Sequence, residues 1–158
     1  MNYDSRTLEA LKKVPFFEGL GPSQVEKLLE ICHAKTLPLG EKLCQMGQPS
    51  DRMFVVLKGT VSIGTAEGST LMTEDAITTI GETGALTGEL RSVTVIATTE
   101  CHVLEVNRVS LNDLLKTDAS MASRLYRNVM MSLRRKLVAA NSRIDKLMKN
   151  ADSSVNTA

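Results

Sequence analysis

The sequence predicts a mainly β domain with helices at both ends, and two changes of pattern along the chain predict it. Residues 35–106 fall into short β-branched and apolar runs broken by glycine, with turn signals roughly every eight to twelve residues, as in a sandwich or barrel. On both sides of that region apolar residues recur at spacings of three and four, the period of a helix with one buried face. The 158 residues, 42% of them hydrophobic, suffice for one well-filled globular domain rather than two full ones.

The elements follow in order. Leu8, Leu11 and Val14 form one apolar stripe. Val25, Leu28, Leu29 and Ile31 form a second after Gly21-Pro22-Ser23, where proline favours the first helical position. Residues 1–34 therefore read as two short N-terminal helices. Between the helices, VPFFEGL places Phe16 and Phe17 where both can plug a core. The strand-like runs are KTLPL, KLCQM, MFVVLKG, TVSIGT, SVTVIATT and HVLEV, with Gly40, Gly47 and Gly59 at the breaks. The stretch GTAEGSTLMTEDAITTI, between Thr65 and Ile80, has no firm period and yields no clear strand. Helical spacing returns in RVSLNDLLKT and then in a long stretch from about Asp118 to Asn150. There Tyr126, Met130, Leu133, Leu137, Ala140, Ile144 and Leu147 alternate spacings of four and three, the seam of a two-helix coiled coil. About 30 helical residues reach roughly 45 Å, longer than a small sandwich covers. This helix, 118–149, is therefore expected to pair with a second copy in a homodimer. Residues 1–150 form a single domain, with C-terminal helices over 107–150, and the tail 151–158 has little to bury and is expected to be disordered.

Composition excludes several classes of function. Ten glycines and four prolines without a repeat exclude a collagen-like chain, and no apolar run approaches the roughly 20 residues of a membrane span. The N-terminus, MNYDSRTLEALKKV, lacks the apolar core of a secretory signal, so a cytoplasmic location is expected. Cys32, Cys44 and Cys101 are odd in number and far apart, which speaks for isolated buried thiols rather than a disulfide scaffold, a zinc ribbon or an iron–sulfur site. His33 and His102 have no neighbouring nucleophile or paired carboxylates, so neither an enzyme nor a metal site is expected. The net charge of +1 hides an imbalance: Arg124 to Lys149 carries eight bases against one acid, whereas the rest carries 11 against 17. Direct nucleic-acid binding is not expected of that basic helix, which has Tyr126 as its one interleaved aromatic.

The stretch Ile80 to Val95, IGETGALTGELRSVTV, carries the chemistry. Gly81, Gly84 and Gly88 allow backbone amides to approach a ligand, Glu82 offers a carboxylate, and Arg91 follows nine positions later. A glycine turn leading into one turn of helix presents N–H groups to an anion, and a guanidinium adds two parallel bonds to phosphate oxygens. The same residue types also serve plain turn geometry and a surface ion pair.

This segment resembles the phosphate-binding cassette of cyclic nucleotide-binding domains like that of the catabolite activator protein: Gly-Glu, a short apolar turn, then Arg and a small residue. The resemblance extends over roughly residues 8–147, through VPFFEGLGPSQVEKLLE and LPLGEKLCQMGQPSDRMFVVLKGTVSI. It implies a jelly-roll-like β-barrel with flanking helices and cyclic AMP as ligand, no metal being involved. Glu82 would accept from the ribose 2′-hydroxyl, Arg91 would pair with the cyclic phosphate, and amides near Gly81, Thr83, Gly84 and Ala85, with the Ser92 hydroxyl, would complete the cradle. Ile80 replaces the family's usual aromatic. Val93 has no hydroxyl where a threonine favours guanine, so cyclic AMP is preferred to cyclic GMP. On the long helix, Ala140 and Asn141 fall at the purine-facing positions, and Asn141 can both donate to and accept from an adenine edge.

No helix-turn-helix, kinase or channel sequence follows the helix, so a stand-alone domain that signals through an unknown protein effector is expected. The function read from the sequence is a cytoplasmic cyclic nucleotide receptor or regulatory module. A scaffold with a vestigial nucleotide site, its basic helix making the contact, is the alternative.

Overall fold

A computed structural model describes residues 5–65 and 68–155. Helix α1 (Ser5–Lys12), a 3-10 turn (Pro15–Phe17) and α2 (Pro22–Glu30) lead into eight strands: β1 (Cys32–Leu37), β2 (Lys42–Cys44), β3 (Arg52–Lys58), β4 (Thr60–Gly64), β5 (Thr70–Asp75), β6 (Thr78–Ile80), β7 (Thr94–Ala97) and β8 (Cys101–Asn107). Helix α3 (Glu82–Thr87) interrupts the strands, and α4 (Arg108–Thr117) and α5 (Ala119–Val155) close the chain. The strands form two antiparallel sheets, ordered β1-β8-β3-β6 and β2-β7-β4-β5. This is the expected jelly-roll-like arrangement, although among the described residues the two sheets face each other without closing into a continuous barrel.

Two cores explain why some strands read as unbroken apolar runs. On β3, Phe54 and Val56 face the inside of the sandwich, with Leu37, Val61, Ile63, Ile80, Val95 and Val103. Its alternate residues, Met53 and Val55, face the helices, with Phe16, Phe17, Leu28, Leu111, Met121 and Leu125. A strand buried on both faces loses the period-two alternation, and each such side chain contributes about 1.5–3 kcal/mol. Phe16 and Phe17 plug the helical core as expected, edge to face with centroids 5.5 Å apart. At the break between β3 and β4, Gly59 has φ 99° and lies against the Glu100 carbonyl, so both its conformation and its missing side chain are required.

The aperiodic stretch from Thr65 to Ile80 does contain strands. Strand β5 has no buried residue and lies at a sheet edge, so no hydrophobic pattern marks it, and β6 is three residues long. The chain end also differs from expectation. Helix α5 continues to Val155, since 151–155 hold neither glycine nor proline to stop it; residues 156–158 lie outside the described residues.

Asp118 sets the start of α5. Its Oδ1 accepts the Met121 amide at 2.9 Å, and Gln24 and Ser120 donate to the same carboxylate, tying α2 to α5. These bonds, the Met121 amide first, hold the carboxyl down at about 2 against an ordinary 3.8. A depressed folded pKa means stability present above the unfolded value and lost as pH falls between the two. Asp118→Asn keeps a capping oxygen that does not titrate. The acid limb of its stability curve, followed by circular dichroism below pH 4, is expected to be flatter than the parent's. Superimposable limbs would refute the assignment.

Candidate functional site

The cassette takes its shape from left-handed backbone at both ends of α3. Gly81 (φ 81°) and Gly88 (φ 84°) cap the helix, and a side chain at Gly81 would run into the Arg91 guanidinium. The amides of Glu82, Thr83 and Gly84 sit in the first helical turn and have no acceptor one turn back. Gly84 lies against Ser50, where a Cβ would collide.

Arg91 is positioned by its own backbone. Its N–H donates to the Gln48 carbonyl at 2.8 Å and its carbonyl accepts from Gly47 at 2.9 Å, which fixes the loop between α3 and β7 to the turn before β3. The side chain is 5% exposed, Nη2 donates to the Arg52 carbonyl, and the Asp51 carboxylate lies 4.0 Å from it. Asp51 itself is held below the usual carboxylate range, chiefly by its hydrogen bond to Arg52. Nη1 of Arg91 is buried and has no acceptor among the described residues, and neither has the hydroxyl of Ser50. Four buried side-chain polar atoms have no partner among the described residues, and two of them, on Arg91 and Ser50, line the same cleft, where a polar ligand would satisfy both.

Gly81, Glu82, Thr83, Gly84, Arg91, Ser92 and Val93 all line a cleft of about 710 Å³. Ala140 joins them from α5, together with Leu133, Lys136, Arg143, Ile144 and Leu147. The α5 stripe read as a dimer seam is thus divided, four of its members facing the cassette. Two expected residues do not reach the cleft. Ala85 is fully buried and its amide already donates to the Gly81 carbonyl at 3.0 Å, because it stands one turn into α3. Asn141 is exposed and off the lining, since one residue along a helix turns the side chain by about 100° from Ala140.

Glu82 is 2% exposed and its Oε1 accepts from Lys136 Nζ of α5 at 3.0 Å. Arg143 Nη1 donates to the Leu71 carbonyl of β5 at 3.0 Å, so α5 is strapped across the cleft at two points. Sequence reasoning missed Ser50, Lys136 and Arg143. Ser50 has no local signal, and the two bases were hidden in an unremarkable basic run. Cys44, also on the lining, is buried, which raises its thiol pKa.

The profile of the "Cyclic nucleotide-binding domain" family matches residues 34–118, more than half of the chain. The chain belongs to that family. A cyclic nucleotide-gated potassium channel of Mesorhizobium japonicum is 31% identical over 129 residues, 82% of this chain but 35% of the channel, so the chain spans about a third of that relative. The N-terminal domain of a transcriptional regulator from Streptomyces coelicolor superposes with a TM-score of 0.70 at 27% identity, covering 80% of this chain and 94% of that one. The catabolite activator protein of Thermus thermophilus gives 0.69 at 24% identity, covering 84% and 62%. This cyclic nucleotide-binding domain thus shares the catabolite activator protein's fold. Among the described residues no helix is long and apolar enough to cross a membrane.

Proposed function

We propose that the chain is a cytoplasmic receptor for a cyclic nucleotide, cyclic AMP in preference to cyclic GMP, acting as a regulatory module rather than an enzyme. The observation that carries this reading is the buried, unpaired Nη1 of Arg91, which lines a glycine-rich cleft beside the first turn of α3. A phosphate monoanion satisfies that donor, and Arg91 and the amides offset the cost of removing it from water. Glu82 would hold the ribose hydroxyl, with Ser50 and Ser92 as further hydroxyl partners. The half-buried, apolar Val93 supports the preference for adenine.

Signalling follows from the two straps of α5. A ribose hydroxyl on Glu82 competes with Lys136 for the carboxylate, so occupancy biases how the helix is attached and what it offers a partner protein. A thermal-shift panel of cyclic AMP, cyclic GMP and cyclic dinucleotides tests the reading. The preferred ligand at 100 times its dissociation constant is expected to add about 2.7 kcal/mol of stability, with cyclic AMP giving the largest shift. Silence across the panel would favour the scaffold with a vestigial site.

A second copy is proposed to pair along the rest of the α5 stripe. Its remaining members, Tyr126, Met130 and Leu137, are exposed apolar residues, which supports such a seam. Leu137→Glu is expected to halve the mass measured by light scattering; an unchanged mass would refute pairing through this helix.

A further inference from the structure

The bases of the segment Arg124 to Lys149 are not spent evenly. Among its bases, Lys136 pairs with Glu82, Arg143 with the Leu71 carbonyl and Lys149 with Asp145. Arg124, Arg127, Arg134 and Arg135 have neither an ion pair nor a side-chain hydrogen bond among the described residues. Arg124 and Arg127 are three apart on one helix, and like charges at that spacing destabilise it. Three of the four, Arg124, Arg127 and Arg135, converge on a separate cleft of about 290 Å³. Its far wall is the turn after Phe17, fixed to α5 by Asn128, whose amide donates to the carbonyls of Phe16 and Glu18 at 2.9 and 2.8 Å. Gly19 lies against the Arg124 side chain, so the turn and the arginine are packed together. Half-exposed Met131 supplies an apolar surface between the arginines.

We propose that this cleft docks an acidic segment of a partner protein, with carboxylates on Arg124, Arg127 and Arg135 and one apolar side chain on Met131. The charge is of one sign, concave and carried by arginine, whose fork matches carboxylates, and an apolar anchor within a ring of arginines is the pattern of a protein interface. A cleft of this size holds a few side chains and offers no stacking aromatic in its lining, which disfavours a nucleic acid. Glu18, on the rim, limits affinity by repelling the incoming acids. The inference does not rest on the nucleotide reading, because these residues lie on a face of α5 turned away from the cassette.

The test is fluorescence anisotropy with a labelled poly-glutamate peptide carrying a single leucine, titrated with the chain at low and moderate salt. Binding is expected to weaken about tenfold in Arg127→Glu/Arg135→Glu and about threefold in Met131→Ser, and to weaken with salt. Glu18→Gln is expected to tighten it, a gain that a misfolded variant cannot give. Lys58→Glu, on an exposed strand end, is expected to change nothing. Equal loss in Lys58→Glu would reduce the effect to net charge and overturn the proposal. No peptide binding, no gain in Glu18→Gln, or equal or tighter binding of a short DNA duplex or of phosphatidylglycerol vesicles would overturn it as well.

Discussion

Arg91→Lys is expected to weaken cyclic AMP binding about a hundredfold in titration calorimetry while leaving the fold intact. The positive charge survives, so the loss measures geometry. Nη2 of Arg91 is committed to the Arg52 carbonyl, and Nη1 is the atom left for a ligand. A lysine has one nitrogen on a flexible stem and cannot serve both acceptors from this buried position. One lost charge-assisted hydrogen bond, together with a misplaced cation, is worth about 2.7 kcal/mol, which is a factor of a hundred. Affinity within threefold of the parent would remove Arg91 from the site.

Lys136→Met is expected to lower stability by about 1–3 kcal/mol in urea denaturation at neutral pH. The methionine keeps the apolar stem but leaves the Glu82 carboxylate buried without its ion partner. Breaking a buried pair from one side costs more than the pair itself contributes, because the remaining charge stays desolvated. The Lys136 side chain is 46% exposed, so water partly relieves that cost and the upper end of the range is a ceiling. Adding Glu82→Gln is expected to restore part of the loss, giving a coupling of about 1 kcal/mol in a double-mutant cycle. Strict additivity would mean that α5 is not held to the cassette through this pair.

Legibility in the sequence followed the range of each interaction. The start of α2 at Pro22, the whole of α4 and the glycine turns that bound α3 are local features, and all are found where their spacing puts them. The edge strand β5 was not legible, since none of its residues is fully buried and no alternating pattern marks it. Ser50 was not legible either: its place depends on a contact with Gly84, 34 positions away. Ala85 and Asn141 were over-read. In both, a family position was carried over to a residue whose helical geometry directs its donor or side chain elsewhere.

The α5 stripe shows most plainly where the division falls. Spacings of three and four determined by themselves that Tyr126 to Leu147 form a helix with one apolar face, because the backbone period is a local property. They did not determine what that face meets. Tertiary structure decided that Leu133, Ala140, Ile144 and Leu147 turn to the cleft beside α3, that Lys136 reaches a carboxylate 54 residues earlier, and that three arginines gather against the Phe17–Gly19 turn. Each depends on the angle at which α5 leaves the helical core at Met121 and Leu125. Packing between distant segments sets that angle, and no window of the sequence contains both sides of such a contact.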